Sequence, residues 1–364
     1  MDHDRRDGER LIIAVVDVAA EKGGALTVLN DFYNYVKNNM KTGVYWVFFV
    51  SVVDLDDCKN IMVVKCPEIK RGWMARLRWE HKVFPRLIDK YRINRVLSLQ
   101  NKALPVAGVR QYVYFHNAIH FFPLFDFSII DRTDRRNFVY RLIVTPLTMR
   151  SLQKADKVFV QTDSVREMLY NKSKVLAEDI IVIRLGVNIN CNGQGESRDI
   201  KGYIYPCGPV TYKKHEIIVD AVRKAGDLFD GEVLFTIEGN ENGYAKKIRK
   251  KSRNLLNVRF VGRLERERLL SMYTEYGLIF ASEIETVGIP FLEAMSYGSP
   301  VIARNVGYAR EVLGEYDNVY YYNDANELAE LIKKYKSMQR GERIQSNSES
   351  EWGKIMEMVA DDEL

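Results

Sequence analysis

A chain of 364 residues is longer than one hydrophobic core ordinarily organises and suits two domains. Hydrophobic residues make up 46% and charged residues 28%, which excludes a disordered or fibrous chain and reads as globular. The net charge of +5 is small but unevenly placed: residues 65–95 hold ten Lys or Arg against three Asp or Glu, a local +7, so the remainder sums to −2.

Residues 1–10 are polar and charged, and no signal peptide is read there. The apolar run 11–18 is short and contains Asp17, so it reads as a buried first strand. A turn at Glu21-Lys22-Gly23-Gly24 leads to a helix near 25–38, then a buried strand at 44–52. That second apolar run falls far short of the ~20 residues needed to span a bilayer. Strands fit 95–99, 111–116, 157–161 and 180–183, with helices near 73–90, 134–154 and 163–173. The polar segment 188–199, NINCNGQGESRD, reads as the interdomain linker. Gly193 and Gly195 begin what resembles a dinucleotide fingerprint, but Arg198 takes the third glycine place and no strand precedes them, which rejects it.

The second half repeats the alternation. Strands fit 202–206, 232–238, 257–261, 277–281, 300–303 and 318–322, and helices fit 213–225, 243–254, 265–275, 290–297 and 325–337. Residues 338–350 read as a polar connector, and a last helix near 350–360 carries Trp352, Ile355, Met356 and Val359 at helical spacing. Alternating helices and strands predict a parallel α/β architecture. Cys58, Cys66, Cys191 and Cys207 lack metal-site spacing and read as free thiols.

The most informative stretch is 282–314, SEIETVGIPFLEAMSYGSPVIARNVGYAREVLG. A strand at 277–281 ends in a loop with Glu283, Glu285 and Thr286. Gly288 and Ile289 follow, and Pro290 sits at a first-turn position, where its missing N–H costs nothing. The helix stops at Gly298, with Pro300 beyond. A glycine turn feeding a helix N-terminus at the carboxyl end of a parallel strand favours a phosphate or diphosphate. Carboxylates repel phosphate, so Glu285 and Glu293 need hydroxyl partners. A diphosphate flanked by hydroxyl-rich rings is a sugar nucleotide.

With Gly288, Pro290, Glu293-Ala294-Met295, Gly298 and Pro300-Val301-Ile302, the seven-residue gap between Glu285 and Glu293 resembles the E-x7-E signature of the family 4 retaining glycosyltransferases of GT-B fold. The segment YPCGPVTYKKHEIIVDAV (205–222) is similar to the part of that family holding a donor-phosphate lysine; Lys213 matches it, and Lys214 stands where Asn is frequent. YVYFHNAIHFF (112–122) puts His116 at the family's active-site histidine, and Gly23-Gly24 match its glycine turn after the first strand. Two departures stand out. Cys207-Gly208 occupy the places of a frequent Gly-Arg pair, and Val287 replaces a usual Phe.

The resemblance implies two facing Rossmann-like domains: 1–187 for the acceptor and 188–349 for the donor, with the last helix, within 350–364, packing back on the first. It implies transfer of a sugar from a nucleotide-diphosphate sugar with retention of configuration, no metal and no cofactor. Glu285 would hold donor-sugar hydroxyls, Glu293 the ribose, Lys213 the diphosphate, and His116 the donor sugar or leaving oxygen. The expected setting is cytoplasmic assembly of a bacterial polysaccharide or glycolipid on a saccharide or lipid-linked acceptor, with no nucleic acid partner. The basic stretch 65–95, where Arg71, Arg76, Arg78 and Lys82 interleave with Trp73, Met74, Leu77 and Phe84, would meet an anionic membrane surface. A sugar-nucleotide epimerase of similar architecture, or a non-catalytic nucleotide-sugar-binding protein, would use the same pocket.

Overall fold

Strand β1 (Leu11–Asp17) sends Ile13 and Val15 into one apolar cluster and Ala14 and Val16 into another. Successive side chains of a strand point to opposite faces, so this sheet is covered on both sides. The structure is a computed structural model that describes residues 10–21, 23–121, 132–186, 199–344 and 351–361, except the side chains of 132–134. Lys22, Cys191, the Gly193–Gly195 pair, nearly all of the predicted linker and the far end of the predicted connector lie outside the described residues.

The first sheet contains β1, β2 (Val44–Val50), β3 (Ile61–Lys65), β4 (Arg95–Ser98), β5 (Arg110–Phe115), β6 (Lys157–Val160) and β7 (Ile180–Val182). Their order is β3-β2-β1-β4-β5-β6-β7, and every pairing is parallel. The second contains β8 (Gly202–Tyr205), β9 (Glu232–Phe235), β10 (Val258–Phe260), β11 (Gly277–Phe280), β12 (Val301–Arg304) and β13 (Val319–Tyr322), in the order β10-β9-β8-β11-β12-β13, again parallel. Each order reverses beside its first strand. Ligands of open parallel sheets bind outside the carboxyl ends of the strands at such switch points.

Strand β3 is absent from the sequence reading. It is a five-residue edge strand on β2, mostly half-buried, whose apolar run Ile61-Met62-Val63-Val64 is only four residues long and is cut off by Lys65. The helices predicted at 73–90 and 134–154 are each interrupted by a π turn, Trp79–Val83 and Tyr140–Val144. Both interruptions precede a proline, Pro85 and Pro146, in the next helical turn. Proline offers no N–H to the residue four back, so the turn before it widens. Phe84 N–H accordingly reaches Trp79 O, and Thr145 N–H reaches Tyr140 O.

Phe84 is fully buried with Trp79 against Phe49, so it belongs to the core and not to a membrane-facing set; Trp73, Met74 and Leu77 are exposed. Arg76 is held by Glu80 and Gln100. The helix Trp352–Ala360 inserts Trp352 between Phe32 and Tyr114, with ring centroids 5.3 and 5.1 Å away, and Arg95 Nη1 donates to the carbonyls of Val359 and Asp361. The end of the described chain is therefore built into the core of the first sheet. No described helix is long and apolar enough to cross a membrane.

Candidate active site

After β11 the chain turns at Gly288, whose φ of 79° is left-handed, and enters the helix Ile289–Ser296 with Pro290 in its first turn. A Cβ on Gly288 would stand 2.9 Å from Phe291, so both backbone and space require glycine. From the other domain, Gly23, with φ 65°, opens the helix Gly23–Asn38 straight after β1. Neither helix has an acidic residue in its first turn. Both N-termini line one pocket of about 450 Å³, together with His116, Lys213, Glu285, Thr286 and Glu293. Gly23, Gly24, Gly288, Ile289 and Pro290 form its backbone-rich wall. A wider concavity, about 550 Å³, lies beside the helix Gly243–Lys251, away from these residues.

Lys213 and Glu285 form a short ion pair inside the pocket. Burial alone would lower the Lys213 pKa, but the Glu285 carboxylate, with lesser help from Cys207 and Tyr212, raises it, so this lysine is charged. Lys213 sits in the 3-10 turn Thr211–Lys213, ahead of the helix, which starts at His215 rather than at 213. Lys214, with φ 48°, turns the chain between them. Its ammonium lies 3.2 Å from Glu283, which also takes Arg304 at 3.1 Å. Lys214 is not among the residues lining the pocket.

Glu293 is 2% exposed. Its carboxylate accepts from Tyr273 Oη at 3.3 Å and pairs with Arg266 at 3.1 Å. Burial pushes its pKa up, and Arg266 and Tyr273 oppose that. His116 Nε2 lies 2.8 Å from Leu99 O. A carbonyl can only accept, so Nε2 carries the proton. Burial lowers the ring's pKa, which leaves it neutral with Nδ1 as its acceptor. Nδ1 can therefore take a hydrogen bond from a sugar hydroxyl but has no proton for a leaving oxygen.

The two domains meet at the pocket's edge. Thr162 Oγ1 donates to Thr286 O at 3.0 Å, and Thr286 Oγ1 donates to His116 O at 3.4 Å. Glu311, in the helix Gly307–Leu313, accepts from the backbone N–H groups of Asp163 and Ser164 at 2.6 and 2.9 Å. The sequence reading singled out none of Thr162, Gln161, Arg266 or Glu311. Thr162 leaves a signal, since Thr before a helical run is a capping residue, and its side chain does accept from Val165 N–H. Glu311 leaves none, because its partner is distant in sequence.

Residues 209–352 match the protein family described as Glycosyl transferases group 1. No curated protein matches the chain. Among solved structures, a glycosyltransferase from Rickettsia africae ESF-5 is 18% identical with a TM-score of 0.67, over 98% of this chain and all of that one. The Anabaena protein HepE, crystallised with UDP and glucose, is 15% identical with a TM-score of 0.65, over 96% of this chain and 99% of that one. WaaG, a glycosyltransferase involved in lipopolysaccharide biosynthesis, is 13% identical with a TM-score of 0.63, over 90% of each chain. The chain has the GT-B fold of these structures, and its residues 209–352 are similar to the group 1 glycosyltransferase family.

Proposed function

We propose that this protein transfers a sugar from a nucleotide-diphosphate sugar to an acceptor hydroxyl with retention of anomeric configuration, without a metal, in the assembly of a bacterial surface polysaccharide or glycolipid. The domains would divide as 1–187 for the acceptor and 188–349 for the donor. The observation that carries this reading is the meeting of two helix N-termini and charged Lys213 in one pocket that also holds Glu285 and Glu293. Negative charge grows on the diphosphate as the glycosidic bond breaks, and fixed N–H groups with an ammonium stabilise it without reorganising. Lys213 would then turn from Glu285 toward phosphate, freeing Glu285 for the sugar's hydroxyls. Buried Glu293 would take the ribose, with Arg266 opposing the upward push of burial on its pKa. His116 Nδ1 would accept from the donor sugar.

A uridine diphosphate sugar is the first donor to test, because HepE was crystallised with UDP and glucose. A nucleotide panel read by thermal shift tests the donor, since a ligand at about 100 times its Kd adds about 2.7 kcal/mol. Incubation with and without acceptor then separates the activities. Isomerised donor without acceptor would replace transfer by epimerisation, and binding without either product would leave a non-catalytic protein.

The reading also places the first domain on an anionic membrane near a lipid-linked acceptor. Exposed Trp73, Met74 and Leu77 lie among Arg71, Arg78 and Lys82 and support it. Changing Arg71, Arg78 and Lys82 to Gln would weaken co-sedimentation with anionic vesicles at low salt; undiminished binding would reduce the stretch to a solvated face.

A further inference from the structure

Phe115 and Val160 are the last paired residues of β5 and β6, so His116 and Gln161 leave the sheet side by side, roughly 4.8 Å apart at ordinary strand spacing. Alternation puts both side chains on the face that carries Tyr114 and Phe159. The contacts agree. The rings of Tyr114 and His116 have centroids 5.7 Å apart, and Gln161 Nε2 donates to Tyr114 Oη at 3.0 Å. Tyr114 packs in turn on Trp352, so the last helix supports this part of the wall. Both His116 and Gln161 line the pocket between the domains.

Gln161 is 4% exposed, and its Oε1 has no hydrogen-bond partner among the described residues. The amide nitrogen is spent on the tyrosine, and the oxygen is left over. A buried acceptor without a partner costs about 1–3 kcal/mol. Such an atom on a residue of a pocket wall points to a ligand that donates. Oε1 is covered in this structure, and the last torsion of a glutamine side chain is broad, so a modest rotation brings the oxygen to the wall.

The chemistry around Gln161 narrows that ligand. His116 beside it presents Nδ1 as an acceptor, and Glu285 presents a carboxylate from the opposite domain. The cations in the lining, Lys213 and Arg266, are already engaged by Glu285 and Glu293. Hydroxyl groups donate and satisfy such a wall, whereas a carboxylate only accepts and adds a charge that nothing there would balance. Two acceptors side by side match two neighbouring hydroxyls of one sugar ring.

We propose that Gln161 is a specificity-determining residue for the transferred sugar: Gln161 Oε1 and His116 Nδ1 accept from two of its hydroxyls, so the enzyme takes a neutral hexose and rejects a uronic acid. The inference rests on the proposed sugar-nucleotide donor and adds the chemical class of its sugar.

The test measures binding of UDP and UDP-glucose by calorimetry to wild type, Gln161→Met and Gln161→Glu. Methionine fills similar space without a comparable acceptor, and glutamate keeps an acceptor oxygen in either protonation state. Gln161→Met should weaken UDP-glucose about tenfold, the upper end for one neutral hydrogen bond, and change UDP by less than about twofold. Gln161→Glu should lose less, and UDP-glucuronate should bind wild type no more tightly than UDP. Unchanged affinity of Gln161→Met for UDP-glucose would overturn the role. So would equal losses for UDP and UDP-glucose, which mark a merely structural effect, or a loss in Gln161→Glu as large as in Gln161→Met. UDP-glucuronate binding wild type as tightly as UDP-glucose would overturn it too. Retained UDP binding shows that the variants are folded. If wild type binds neither uridine ligand, GDP-, ADP- and dTDP-glucose are compared with their own diphosphates in the same way. Wild type that binds none of these sugar nucleotides refutes the donor reading and this inference with it, an outcome distinct from intact donor binding that is insensitive to Gln161.

Discussion

Thr162 and Thr286 lie 124 positions apart, yet the hydroxyl of the first bonds the carbonyl of the second at 3.0 Å across the domain boundary. Thr162 caps the helix Asp163–Ser173 of the first domain, and Thr286 belongs to the loop that feeds the helix at Pro290. The position of the pocket's backbone-rich wall is thus tied to the first domain. Glu311 strengthens the tie, because its carboxylate takes two backbone N–H groups and the Ser164 hydroxyl at the same helix N-terminus.

Glu311→Ala should therefore loosen the closed arrangement. Charge-assisted bonds of this kind are each worth roughly 1.5–3 kcal/mol. We expect a larger radius of gyration by small-angle scattering and a higher KM for the donor, with kcat changed less. An unchanged radius and an unchanged KM together would show that the contact does not hold the domains.

Lys213 and Lys214 are neighbours with opposite fates. Lys213 enters the pocket and Lys214 is held by Glu283 outside its lining. Lys213→Ala should lower kcat roughly 100-fold or more, the usual effect of losing one stabiliser of developing negative charge. Lys214→Ala should lower it only a few-fold. Equal kcat values in the two variants would remove Lys213 from the reaction.

The two glutamates should separate by the parameter each moves. Glu293 is buried on the helix proposed to meet the nucleotide, so Glu293→Gln should raise the donor KM about tenfold, the value of one charged hydrogen bond. Glu285→Gln should mainly lower kcat, since its proposed partner is the reacting sugar and it also neutralises Lys213. Effects of both changes on KM alone would refute the division.

Much of this was legible in the sequence for physical reasons. The strands of the two sheet centres are continuous apolar runs because both faces are buried, and Gly288, Pro290, Gly298 and Pro300 bracket a helix by their backbone limits alone. Other features depend on neighbours that a linear reading does not see. β3 is a strand because β2 offers it an edge. Lys213 and Lys214 look alike in sequence, and only Glu285 and Glu283, some 70 positions later, send them apart. Phe84 sits in a basic stretch that looks interfacial, but the Pro85 interruption coincides with its burial against Phe49 and Trp79.

Asp17, the last residue of β1, is 1% exposed; its Oδ1 accepts from Ala20 N–H at 3.1 Å and Oδ2 has no partner among the described residues. Burial raises its pKa to about 7, while the Ala20 and Ala19 N–H groups and the charges of Arg76 and Lys70 only partly oppose this. In the unfolded chain the same carboxyl ionises near its ordinary 3.8. Between about pH 4 and pH 7 the folded protein therefore holds a proton that the unfolded chain has lost, so stability falls as pH rises across that window. The penalty, on the order of 4 kcal/mol for a rise from 3.8 to about 7, is absent below the window and complete above it. Asparagine keeps an oxygen for Ala20 N–H and carries no charge. Asp17→Asn should consequently flatten the fall in melting temperature and leave the variant more stable than wild type on the alkaline side. The turn that leads to Gly23 and Gly24 begins at this residue, so donor binding should also be retained at the pH where wild type is weakest. A melting profile for Asp17→Asn parallel to that of wild type across the window would show that Asp17 does not carry the buried proton.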